Sequence, residues 1–127
     1  MIKKLNTGSS PIVTGEIVLT SKISPFKNGT ASIQLEDVSR ADAGALLLGE
    51  EIIAGIKHNP EPGDEQTITI PFEIQLKGNV EIDPRNFYNI RASIVIKGRK
   101  GRSEVLNTDE SFRVLTQGFG NFIKVVF

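Results

Sequence analysis

The alternation of apolar and polar residues is clearest from Tyr88 to Lys97. Tyr88, Ile90, Ala92, Ile94 and Ile96 share one parity; Asn89, Arg91, Ser93, Val95 and Lys97 share the other. A period of two buries one face of an extended chain and wets the other, which predicts the central strand of a sheet. Val13 to Thr20 alternates in the same way, with Val13, Gly15, Ile17 and Leu19 inward. A glycine on that inner face predicts a close approach or a bulge. Thr30 to Val38 is a further strand, with Ala31, Ile33 and Leu35 inward. In Thr67 to Leu76 the inward set is Ile68, Ile70, Phe72, Ile74 and Leu76, and Pro71 falls on the outward set. Proline cannot donate to a ladder, so this strand is predicted at a sheet edge or bulged at Pro71.

The remaining elements are weaker. Leu46 to Ile53 has poor periodicity, and Ala43 to Ile53 also reads as a helix of about three turns; the surrounding strand-turn pattern favours a strand. Ser103 to Thr108, Phe112 to Thr116 and Asn121 to Phe127 are predicted as short strands. Turn signals separate them at Ser24–Gly29, Lys57–Glu65, Lys77–Val80, Gly98–Gly101 and Gln117–Gly120. The sum is an all-β, single-domain antiparallel β-sandwich of immunoglobulin-like character, with about seven or eight strands. Residues 1–10 are polar and expected to be frayed, leaving 11–127 as the domain. Phe87, Phe112 and either Phe122 or Phe127 are expected to supply much of the core.

Ahead of the central strand, Ile82, Pro84 and Tyr88 form an apolar-x-Pro-x-x-x-Tyr run. In immunoglobulin-like sandwiches such a tyrosine packs its ring inward and bonds its hydroxyl to an upstream backbone group. Asp83 and Arg85 then set the turn that leads into it.

Composition narrows the chemistry. The chain has 127 residues, formal net charge zero, no cysteine and one histidine, His58. Zero net charge gives no electrostatic case for nucleic acid or an anionic membrane. Without cysteine there is no disulfide, thiol nucleophile or thiolate metal site, and one histidine cannot make a multi-histidine centre. No apolar run approaches the roughly 20 residues of a membrane helix. Met1-Ile2-Lys3-Lys4-Leu5 resembles the charged head of a signal peptide, but Asn6 to Ser10 follows with no apolar stretch. The expectation is a cytoplasmic protein, or a periplasmic or outer-membrane-associated one whose leader was replaced.

Three polar groupings and the apolar tail are candidates for a site. Asp37, Ser39, Arg40 and Asp42 form either an exposed recognition loop or cation site, or a capped crossover in which Asp37 or Ser39 satisfies backbone N–H groups; the second is favoured. Lys97, Arg99, Lys100 and Arg102 lack the interleaved aromatics that stack bases and read as a solvated hairpin. His58 sits near Glu61, Asp64 and Glu65 without ligand spacing, as in a mobile acidic loop. The tail Phe122 to Phe127 is apolar on both faces. It is either a strand covered on both sides, or an edge open to a partner strand or a second copy.

Three blocks carry a resemblance. The first is Val13 to Ile17 with Ile33 to Ala43, including Asp37, Val38, Ser39, Ala41, Asp42 and Ala43. The second is Ile68 to Ile74, with Pro71 and Phe72, followed by Ile82 to Ile94, with Asp83, Pro84 and Tyr88. The third is Val114 to Gly118, with Thr116 and Gly118. Together they resemble the YbaY/YscW lipoprotein family over Val13 to Gly118. The resemblance implies a small β-sandwich, no enzymatic activity and no cofactor. It also implies protein–protein contact, in one branch as a pilotin that helps a secretin assemble in the outer membrane. Lipoprotein members carry a lipidated cysteine, and this chain has none. The alternatives are a soluble binding or inhibitor module without an anchor, and a carbohydrate-binding or hydrolytic domain, poorly served by no Trp and one Tyr.

Overall fold

A computed structural model describes residues 11–40, 44–59, 68–98, 102–108 and 112–127. Eight strands are described and no helix: β1 (Val13–Leu19), β2 (Phe26–Asp37), β3 (Leu46–His58), β4 (Ile68–Ile74), β5 (Tyr88–Lys97), β6 (Ser103–Asn107), β7 (Phe112–Val114) and β8 (Phe122–Val126). They form two sheets of an all-β sandwich. The narrower runs β4-β1-β8. The wider runs β3-β2-β5, with β6 and β7 both paired to the far side of β5. Pairing is antiparallel except between β1 and β8, which run parallel with Ile17 opposite Val125.

The alternation described above is what fills the core. Val13, Ile17 and Leu19 of β1, Ala31, Ile33 and Leu35 of β2, and Tyr88, Ile90, Ala92 and Ile94 of β5 are buried on one shared interior. Each large apolar side chain removed from water there contributes about 1.5–3 kcal/mol. Gly15 is a close approach: a Cβ added to it would lie 2.6 Å from the Phe72 ring and against the Ile123 carbonyl. Only a residue without a side chain lets β1 lie so close to its neighbours. Pro71 sits opposite Glu16 on β4, the edge strand of the narrower sheet, where a missing N–H costs no ladder bond.

Several expectations are corrected. Phe87 and Phe122 lie at the surface, 40% and 52% exposed, and Phe112 and Phe127 are only half-buried. The buried phenylalanines are Phe26 and Phe72. Phe26 is not in a turn. β2 begins there, and the Asn28-Gly29 signal is absorbed as a bulge, with register shifts between Phe26, Gly29 and Ala31. β3 extends past Ile53 to His58, because Gly55 takes a left-handed φ of 73° and lets the strand resume with Ile56 and His58 inward. His58 is therefore buried rather than in an acidic loop. Its Nε2 is 3.0 Å from the Ile23 carbonyl, and its ring centroid is 5.8 Å from that of Phe26. Glu61, Asp64 and Glu65 lie outside the described residues, as do residues 1–10, Arg99 and Lys100.

Candidate functional site: a stapled end of the sandwich

Pairing of Asp37 with Tyr88 brings the end of β2 to the start of β5. β7 pairs with the same stretch of β5, Val114 opposite Tyr88, and the chain then turns into β8. Three loops consequently meet at this end: 38–40, 82–87 and 115–121.

In the first loop the Asp37 carboxylate accepts from the Ser39 backbone N–H at 2.9 Å and from its hydroxyl at 2.6 Å. This is an Asx-type turn, not the first turn of a helix, because the side chain satisfies the backbone locally. Ser39 Oγ then accepts from Phe87 N–H at 2.8 Å, and the other Asp37 oxygen accepts from Asn86 Nδ2 at 3.1 Å. Val38 N–H donates to the Phe87 carbonyl, extending the β2–β5 ladder into the loops.

In the second loop the tyrosine corner forms as the sequence implies. Tyr88 is 1% exposed, and its hydroxyl accepts from Asp83 N–H at 2.9 Å. Asp83 accepts from Arg85 N–H at 2.9 Å and from the guanidinium at 3.1 and 3.0 Å. The Arg85 side-chain bond, then its backbone N–H, hold the Asp83 carboxyl below its ordinary range and outweigh a small desolvation. Pro84 occupies the second position of a turn closed by Asn86 N–H on the Asp83 carbonyl.

The third loop is bonded to the second. Thr116 Oγ1 donates to the Asn86 carbonyl at 2.5 Å, and Gln117 Nε2 donates to the Pro84 carbonyl at 3.2 Å. Leu115 and Gln117 hold left-handed φ angles of 74° and 60°, and Gly118 one of 89°. Thr116 N–H bonds the Val114 carbonyl around Leu115, a γ-turn, and Phe119 N–H bonds the Thr116 carbonyl around the next pair.

Of the residues singled out from sequence, Asp37, Val38, Ser39, Asp83, Pro84, Tyr88, Thr116 and Gly118 meet at this end. Pro71 and Phe72 lie on β4, the first exposed and the second in the core. Ala41, Asp42 and Ala43 lie outside the described residues. Sequence reasoning missed Asn86, which bonds both neighbouring loops, and the role of Phe87. The Phe87 ring lies open with the Arg113 guanidinium 5.0 Å from its centroid. Phe119 within the third loop and Phe122 just after it, at the start of β8, are 50% and 52% exposed. Phe87 and Phe119 follow or lie within turn signals, Asp83 to Arg85 and Gln117–Gly120, that could have marked them as exposed; Phe122 has no such signal, since it sits in a strand-like run.

Chemically, the polar groups that join these three loops are bonded to one another. Among the described residues no group of three or more His, Asp or Glu side chains is placed to hold a metal ion. Away from this cluster, a polar depression of about 420 Å³ lies between the β3 and β4 edges and is lined by Glu50, Glu51, Glu73, Gln75, Leu76 and Lys77. There the Gln34 amide, more than the Ser32 hydroxyl or the Lys77 charge, holds Glu50 below the ordinary carboxylate range despite slight desolvation. What the fold and this end define is a β-sandwich with three cross-bonded loops that present exposed aromatic side chains.

Comparison with known proteins places it more closely. The model of the type III secretion system lipoprotein chaperone family, YscW, matches residues 9–127, and the chain belongs to that family. Among solved structures it is similar to an alternative pilotin from the type II secretion system of Vibrio cholerae. That match has a TM-score of 0.64 and 20% identity, and covers 90% of this chain and 91% of the other. At that identity the likeness is one of fold. No curated protein matches the chain.

Proposed function

We propose that this protein is a non-enzymatic assembly chaperone of the bacterial envelope that binds a secretin, in the manner of a pilotin. The observation that carries the reading is the family match along residues 9–127. The stapled end supports it. Phe87 and Phe119 are exposed on loops pinned by side chain–backbone bonds, and Phe122 is exposed where β8 begins; rigid exposed aromatics are the residues that dominate binding at protein interfaces. Arg113 over Phe87 adds a positive rim to that apolar surface. The secretin of the same cell, solubilised from outer membranes, is expected to be retained on the immobilised protein. Replacing Phe87, Phe119 and Phe122 together by Ala is expected to weaken retention at least tenfold, with the fold intact by circular dichroism. A secretin that is not retained, and assembles equally well in cells lacking this protein, rules the reading out.

A further inference from the structure

The sheets are unequal in width, and the shortfall lies on one side. At the β3–β4 side they meet, with Lys77 N–H on the Leu48 carbonyl at 2.8 Å. At the other side the narrower sheet ends at β8, while the wider sheet continues through β6. The inner face of β6 shows the gap. Glu104 is opposite Ile96 and shares its inward side, yet is exposed; Leu106, opposite Ile94, is only half-buried.

The rim of β8 faces that gap with its hydrogen-bonding groups unmatched by any described strand. The Asn121 carbonyl accepts from Thr14 N–H, and Phe127 N–H donates to the Val18 carbonyl, both at 2.9 Å. Backbone groups alternate sides along a strand, so those of Ile123 and Val125 also turn to β1. The N–H and C=O groups of Phe122, Lys124 and Val126 therefore point to the open rim. Phe122 and Val126 are half-exposed, and Lys124 stands between them without an ion pair among the described residues.

We infer that this rim captures an extended segment of a partner protein as a fourth strand of the narrower sheet. That segment carries an acidic side chain beside Lys124, between two apolar ones beside Phe122 and Val126. Its alternate residues are apolar and cover Leu106 from the inner side. The charge of Lys124 selects this occupant over a second copy: two β8 strands paired about Lys124 would place like charges opposite one another, which is how edge lysines oppose self-pairing. The inference rests on the protein-binding reading above and gives it a binding mode.

The probe is a synthetic peptide of about nine residues in which Val occupies the two positions on each side of a central Glu, with Thr toward the ends. In the free protein the amides of Phe122, Lys124 and Val126 are expected to exchange freely with deuterium, while those of Ile123 and Val125 are protected. The peptide is expected to protect the first three. A central Lys in the peptide weakens binding about tenfold, and Lys124→Glu reverses that preference. N-methylation of alternate peptide residues abolishes binding in one phase and not in the other, as backbone pairing requires. Protection of the three amides in the free protein, tolerance of N-methylation in both phases, or an unchanged preference in Lys124→Glu each overturns the inference. So does sedimentation showing a dimer that the peptide does not dissociate. If the secretin is retained undiminished by Lys124→Glu, the rim is not its site and the proposed function stands. If the peptide binds as described and no secretin is retained, the rim stands and the proposed function falls.

Discussion

Tyr88 carries the corner through a single atom. Its ring is buried and its hydroxyl takes the Asp83 N–H. Tyr88→Phe keeps the packing and leaves that partly buried N–H without an acceptor. The expected loss is about 1–2 kcal/mol, read as a lower urea midpoint with an unchanged slope. Asp83 makes a different prediction. Its carboxyl is held low chiefly by the Arg85 side chain. A carboxyl depressed in the folded state stabilises above its unfolded value, and that contribution is lost as pH falls through the lowered one. The group is solvated, so the effect on the whole fold is small. Its own titration should nevertheless show it. By carbon NMR, Asp83 is expected to titrate below the ordinary aspartate range, and Arg85→Ala to return it toward that range.

Among the elements, the turn after β7 holds the most strain. Leu115 and Gln117 both carry left-handed φ angles. Leu115 packs against the core, which offsets its cost; Gln117 is exposed and has a single bond, to the Pro84 carbonyl. Gln117→Gly is therefore expected to raise the thermal midpoint, by about 0.5–1 kcal/mol of stability. A fall in the midpoint would mean that the Pro84 bond outweighs the strain. The elements also differ in how readable they were. β1, β4 and β5 announced themselves because one face of each is buried along its length, so alternation survives in the sequence. β3 did not. Leu46, Leu47 and Ile52 are exposed apolar residues, Gly49 is buried, and Gly55 breaks the parity midway. β2 was read too short because Asn28-Gly29 is the signal of a hairpin turn, and only the register against β3 shows it to be a bulge.

Across the whole molecule, β8 joins the two ends of the described chain. It lies parallel to β1, and Val125 is fully buried between the sheets. Deleting residues 121–127 would leave the Thr14 N–H and Val18 carbonyl of β1 without their partners and remove Val125 from beside Ile17 in the core. The expected result is loss of the cooperative unfolding transition, measured by circular dichroism and amide dispersion in NMR. Such a parallel pair has no local signal, since a strand's alternation is the same beside a parallel or an antiparallel neighbour. The same reason divides what was knowable. By itself, the sequence determined the strand character of β1, β4 and β5 and the tyrosine corner, and it narrowed β4 to a sheet edge or a bulge at Pro71. Each of these is set by residues close together in the chain. Tertiary structure alone decided that β8 pairs with β1 and that β6 and β7 share one edge of β5. It also decided that Phe87 and Phe122 face solvent while Phe26 and Phe72 fill the core. Which apolar face is covered depends on residues far apart in sequence that meet only when the sheets close.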